Sequence, residues 1–197
     1  MTTFVYVEGG GDNRLSQSAC RAGLAALVEK VVPPGRLPRV VACGSRNAAF
    51  DQFKTRISRK AIGDVVLLLV DSEGPVSGGI TVWAHVTARD GWVQPPGTTH
   101  IDLHFMVECT EAWFLADQAA LMNFYGAGFR PNALPANPNV ELVAKADVLD
   151  GLRRATVGTR RGEYHKARHG FDLLALLDPG VVRGRSVYAD RFFKALV

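Results

Sequence analysis

The sequence predicts an α/β protein with a mostly parallel central sheet, flanking helices and a helical C-terminal extension. Three observations predict it. Val65-Val66-Leu67-Leu68-Leu69-Val70 is an unbroken apolar run, which reads as a strand covered on both faces. Two shorter apolar runs precede it, and each leads into a segment with helical apolar spacing, so the order is βαβαβ. Beyond a stretch of loop-formers at residues 131–138, the patterns are all helical. The central run passes directly into Asp71-Ser72-Glu73-Gly74. Open α/β sheets bind ligands outside the carboxyl ends of their strands, so this pair of acids is the first candidate for a site. Extended backbone would aim both side chains the same way.

The elements follow in order. Residues 4–7 form a short strand ending at Glu8, and Gly9-Gly10-Gly11-Asp12-Asn13 is a loop. Residues 14–31 carry Leu15, Ala19, Ala22 and Ala26 at helical spacing, with Asp12 or Asn13 as the cap. Pro33-Pro34-Gly35 stops that helix. Residues 39–42 are a second strand. Ser45 caps a helix over 46–59, with Ala49, Phe50, Phe53 and Ile57 on one face. After the central strand, residues 83–86 read as a short helix. Residues 100–107 alternate: Ile101, Leu103, Phe105 and Val107 face one way, and His100, Asp102, His104 and Met106 face a wet side. Thr110 caps a helix over 111–124, with Asp117 on its surface. Helical patterns then occupy 140–144, 148–155, 171–177 and 186–196. The division is an α/β core at 1–130 and a helical extension at 131–197 packed on it.

Composition narrows the classes. With 197 residues, 47% of them hydrophobic and 21% charged, the chain suits one α/β domain with a sizeable core. No apolar run approaches the roughly 20 residues of a membrane span. The start, Met-Thr-Thr-Phe-Val-Tyr-Val-Glu, has no basic n-region or cleavage site, so the expected location is the cytoplasm. Cys20, Cys43 and Cys109 are odd in number, far apart and without a CxxC, and read as reduced thiols. His100, Asp102 and His104 share a strand face but suit a wet edge better than a metal, and His165-x-x-x-His169 lacks the Glu of a hydrolytic zinc motif. The net charge is +4, which permits a polyanion partner without demanding one. Much of the basic charge lies in the last quarter, including Arg160, Arg161, Lys166 and Arg168.

Carboxylates end three strands. Glu8 ends the first, with Asp12 four residues on. Asp71 and Glu73 end the third. Glu108 ends the fourth, with Glu111 three further. If these strands are neighbours, the acids converge at one sheet edge, and such a cluster calls for cations. Two divalent ions, Mg²⁺ or Mn²⁺, would neutralise it and could clamp a phosphoryl displacement. The glycines after Glu8 let backbone N–H groups approach an anion. Ser45-Arg46, at a helix start, is a candidate phosphate site, although capping explains it equally.

Strand–Glu–Gly at the start and strand–Asp-x-acid later resemble the Toprim domain of topoisomerases, primases and the overcoming-lysogenization-defect (OLD) nucleases. More specifically, the chain resembles a bacterial Toprim-like family of unknown function, often encoded beside ATPases in phage-defence loci. The stretches that carry this likeness are Val7-Glu8-Gly9, Ala42-Cys43-Gly44-Ser45-Arg46, Leu69-Val70-Asp71-Ser72-Glu73, Glu108-Cys109-Thr110-Glu111-Ala112-Trp113-Phe114-Leu115-Ala116-Asp117 and Tyr164-His165-Lys166. Glu73 stands where the Toprim motif has a second Asp. The resemblance implies a Toprim-like sheet, with Glu8, Asp71 and Glu73 as core metal ligands and Asp12, Glu108 and Glu111 completing a second site. It implies that Lys145 or Lys166 stabilises phosphate charge. Arg160, Arg161 and Arg168 would line a path for nucleic acid. The expected activity is metal-dependent phosphodiester hydrolysis of DNA or RNA, as the effector of an anti-phage system working with an ATPase partner. A homo-oligomer is compatible with it. The alternatives are a non-catalytic nucleotide- or nucleic-acid-binding regulatory subunit, or a primase-like nucleotidyl transferase.

Overall fold

The computed structural model describes residues 2–197. Four parallel strands form one sheet: β1 (Thr3–Gly10), β2 (Arg39–Gly44), β3 (Val65–Asp71) and β4 (Leu103–Met106). Their order is β2-β1-β3-β4. The chain therefore leaves β1 toward one side and returns through β3 on the other, which makes the β1/β3 gap a topological switch point.

Alternation along β3 divides the core in two. Leu67 and Leu69 join Val5 and Val7 of β1 on the face covered by α1 (Arg14–Glu29), through Leu24, Leu27 and Val28. Val66, Leu68 and Val70 join Phe4 and Tyr6 on the face covered by α2 (Arg46–Ile57) and α3 (Val82–Asp90), through Phe50, Phe53 and Trp83. Burial on both faces is why β3 has no polar alternation. Asn13 caps α1, accepting from Leu15 N at 2.8 Å, and Ser45 caps α2, accepting from Ala48 N at 3.3 Å. The helix expected over 83–86 runs from Val82 to Asp90, between a Thr81 cap and a left-handed Gly91.

From residue 112 onward the regular elements are all helical: α4 (Ala112–Ala116), α5 (Gln118–Tyr125), α6 (Lys145–Thr156), α7 (Phe171–Leu176), α8 (Pro179–Arg185) and α9 (Val187–Lys194). Short 3₁₀ turns lie at Pro131–Ala133 and Val140–Leu142, and a π-helical turn at Lys166–Gly170. Leu152, Leu174, Phe192 and Phe193 belong to the same apolar cluster as β1 and α1.

Three local expectations are corrected. The strand expected over 100–107 is four residues long, and its second face is dry: His104 is 2% and Asp102 7% exposed. The reason is α9, whose Phe192 ring meets His104 edge-on at 5.6 Å. Burial pushes the His104 imidazole down to about 4, and its Nε2 pairs with Ile101 O at 2.9 Å. The helix expected over 111–124 breaks at Asp117, which is buried and not on the surface. Its Oδ1 accepts from Ala120 N at 3.0 Å to start α5, and its Oδ2 accepts from Asp178 N at 2.8 Å. The helix expected over 186–196 begins a residue later as α9, after Ser186 caps it through Ala189 N at 3.0 Å. No helix among the described residues is long and apolar enough to cross a membrane.

Candidate functional site

Asp71 is the last residue of β3 and continues the row of Leu67 and Leu69, so its carboxylate faces the α1 side at the switch point. Its Oδ1 accepts from both Thr110 N at 2.8 Å and Thr110 Oγ1 at 2.9 Å. Thr110 thus orients Asp71, whereas α4 has no side-chain cap. Glu73 does not follow by extension. The strand has ended, and Glu73 has φ 59°, a left-handed conformation uncommon outside glycine. Ser72 Oγ fixes this bend, donating to Gly74 O at 2.6 Å and accepting from Glu108 N at 2.7 Å. Strain of this kind collects at functional sites.

Glu8, Asp71, Glu73 and Glu111 line a single cavity of about 210 Å³, together with Thr110, Tyr164 and Lys166. Its inner wall is apolar, from Cys20 and Leu24 of α1, Phe114 of α4 and Leu174 of α7. The Lys166 amine lies 3.4 Å from Glu111 Oε1 and 3.9 Å from Asp71 Oδ2. Tyr164 Oη donates to Glu111 Oε1 at 2.9 Å. Lys166 opens the π-helical turn, a distortion frequent at functional sites.

The electrostatics follow from crowding. Burial pushes Asp71 up to about 7. Lys166 pulls it down, while Glu8 and Glu111 push it further up. Burial also raises Glu8, opposed by Arg46 and reinforced by Glu73. Burial works against the Lys166 charge, yet Asp71 and Glu111 outweigh it and hold the ammonium above its usual range. Burial pushes the Cys20 thiol up to about 12, so it is an inert wall residue.

The other expected residues take different places. Lys145 Nζ pairs with Glu73 Oε2 at 2.5 Å. Glu108, at φ 64°, turns out of the cavity, and its Oε2 accepts from Lys145 N at 2.9 Å, capping α6. Asp12 is exposed in the turn after β1 and does not line the cavity. Arg46 is a clamp. Its Nε and NH2 bond Asp90 at 3.0 and 2.7 Å, its NH1 donates to Glu8 Oε2 at 3.3 Å and to Asp71 O, and its plane lies 4.8 Å over Trp92. Ser45 is exposed and serves as the α2 cap. Arg160, Arg161 and Arg168 are all exposed, and Arg161 donates to Phe124 O at 2.7 Å and stacks on that ring. His169 is buried, its Nδ1 accepting from His165 N at 3.2 Å and lying 3.1 Å from Tyr125 Oη. The glycines near Glu8 serve close packing: a Cβ on Gly44 would lie 2.4 Å from Gly11 O. Three functional contributors went unassigned by sequence reasoning: Thr110 and Tyr164, which orient acids, and Asp90, which holds Arg46. Tyr164 had a signal in its place two residues before Lys166, and Thr110 in its place directly before Glu111; Asp90 had none.

As the side chains lie, no three His, Cys, Asp or Glu groups among the described residues are close enough to hold a metal ion. The site is a carboxylate–lysine cavity at the switch point of an all-parallel α/β domain. The chain belongs to the DUF4276 family, a domain of unknown function, whose pattern matches residues 7–197. No curated protein and no solved structure matches it.

Proposed function

We propose that this cavity takes divalent cations and that the protein is a metal-dependent nuclease hydrolysing phosphodiester bonds of DNA or RNA. The observation that carries the reading is the meeting of Glu8, Asp71, Glu73 and Glu111, from three separate stretches of chain, around one cavity. The donors are all oxygens, which suits Mg²⁺ or Mn²⁺. Asp71 Oδ2 and Glu73 Oε1 accept no hydrogen bond within the described residues, so each has an open lone pair to offer. Burial raises both Asp71 and Glu8, and a cation bound beside them would favour their ionised forms.

Two bound ions would supply an acidified water and a counter-charge for the phosphoryl oxygens. The chain's residues do the rest. Thr110 fixes Asp71, Tyr164 fixes Glu111, and Arg46 holds Glu8. A cation entering between Asp71 and Glu111 would displace the Lys166 amine, freeing it to contact a phosphate. Exposed Arg160 and Arg168 extend a positive surface for the polymer. The Toprim relationship, a role as effector in anti-phage defence and an ATPase partner belong to the same proposal and rest on the likeness of the motifs.

The test is cleavage of supercoiled plasmid and of labelled single-stranded RNA with Mg²⁺ or Mn²⁺. Wild-type protein should cut at least one, and Glu8→Gln and Asp71→Asn should each lose more than about 100-fold, beyond the loss typical of outer-shell partners, while still unfolding cooperatively. Unchanged cleavage in both variants, or none by the wild type with either ion, would overturn the reading. One observation favours a second reading, a binding subunit without catalysis: Arg46, Lys145 and Lys166 already neutralise the acids. Saturable oligonucleotide binding with intact product would select it.

A further inference from the structure

The strand order leaves β2 at one rim of the sheet, bonded to β1 on one side and, among the described residues, to no strand on the other. Such a rim exposes a row of backbone donors and acceptors, and natural proteins usually guard it with proline, inward charge or a covering segment. Within Arg39–Gly44 there is no proline, and the one charge is at the start. Apolar packing also stops short there. Val41 is half-buried against the α2-side core and Ala42 against the α1-side core. Each face of the rim opens into a groove. The one on the α1 side, about 250 Å³, runs along Val41 and Ala42 beneath Arg14 and Arg21. The one on the α2 side, about 350 Å³, lies over Tyr6, the β1 neighbour of Val41; it carries Arg59 and Asp51, and its Arg56 is already paired with Asp64 at 2.6 Å.

We propose that β2 accepts one extended strand from a partner protein, and that this strand is acidic on the face turned to α1 and apolar on the other. The strand would continue the sheet by main-chain bonds, cover Val41 and Ala42, and set its carboxylates against Arg14 and Arg21. A phosphate backbone would answer the arginines but has no donors for the β2 carbonyls. A second copy pairing through the same strand would bring two arginine-bearing rims together, which is repulsive. The inference is independent of the nuclease reading, since Arg14, Arg21, Val41 and Ala42 do not line the cavity.

The experiment is amide hydrogen exchange on the full chain with three capped seven-residue peptides. One alternates glutamate and valine, one alternates lysine and valine, and the third is the glutamate peptide with alternate amides N-methylated. The glutamate peptide should slow exchange across residues 39–44 at least about tenfold, and the other two should not. Arg14→Glu with Arg21→Glu should weaken its binding about tenfold. Equal slowing by the glutamate and lysine peptides, or no slowing at millimolar peptide, overturns the proposal. So does slowing by an oligonucleotide alone, which selects nucleic acid, or slowing that tracks protein concentration without peptide, which selects a second copy.

Discussion

Asp71→Asn should stabilise the metal-free protein, and by an amount that depends on pH. Asp71 is 4% exposed, so its ionisation is coupled directly to folding. Its carboxyl titrates near 7 in the folded protein against 3.8 ordinarily. Below 3.8 both states hold the proton and there is no penalty. As pH rises from 3.8 the unfolded chain ionises first, and folded stability falls until the native carboxyl also ionises near 7. Across that gap, at 1.36 kcal/mol per pH unit, the loss is about 4 kcal/mol. Asparagine keeps the acceptor for Thr110 and never ionises. The variant should therefore gain about 4 kcal/mol over wild type at pH 8, but only about 1 kcal/mol at pH 4.5. In a chain of this length that is roughly 10 °C in Tm at the higher pH. The assay is urea unfolding in EDTA at both pH values. A variant less stable than wild type at pH 8, or equally stabilised at both, would refute the linkage between burial and charge at this position. Adding Mn²⁺ should then stabilise the wild type and leave the variant unchanged.

Three further outcomes follow from the supports of the site. Arg46→Lys should cost about 3 kcal/mol or more in urea unfolding, because lysine cannot hold Asp90 as a fork and leaves Asp90 and Glu8 underpaired. Thr110→Val should cost about 1–2 kcal/mol and raise the Asp71 titration seen by carboxyl NMR, and Thr110→Ser should restore both. Gly44→Ala should cost more than about 1 kcal/mol, since φ is +78° and the new Cβ would lie 2.4 Å from Gly11 O; a circular-dichroism melt within 1 °C of wild type, well inside the roughly 2–4 °C expected per kcal/mol, would contradict it.

The first half of the fold was legible because its signals are local. The β3 run, the Asn13 and Ser45 caps and the Pro33-Pro34-Gly35 stop each depend on a few adjacent residues. The wet face of β4 was misread because Phe192, which dries it, lies 88 residues beyond His104 in sequence. The same distance effect governed the site. The meeting of Glu8 and Asp71 at one cavity followed from strand ends and sheet order, whereas Glu73 reaches it through a left-handed turn and not by extension of the strand. Glu108 sits in an equivalent strand-end position, but a left-handed turn sends it to α6, and no alternation rule reports φ. Arg46 looked like a phosphate ligand at a helix start because Asp90, which claims it, comes 44 residues later. Lys166 and Tyr164 meet their acids only through packing of the C-terminal helices on α1.

The most direct measurement is the anomalous difference map of crystals soaked in Mn²⁺. Peaks within about 2.5 Å of carboxylate oxygens of Asp71 and at least one of Glu8, Glu73 and Glu111, with the Lys166 amine moved away from Asp71, are the expected result. A map with manganese elsewhere on the molecule and none among those acids would contradict the central claim.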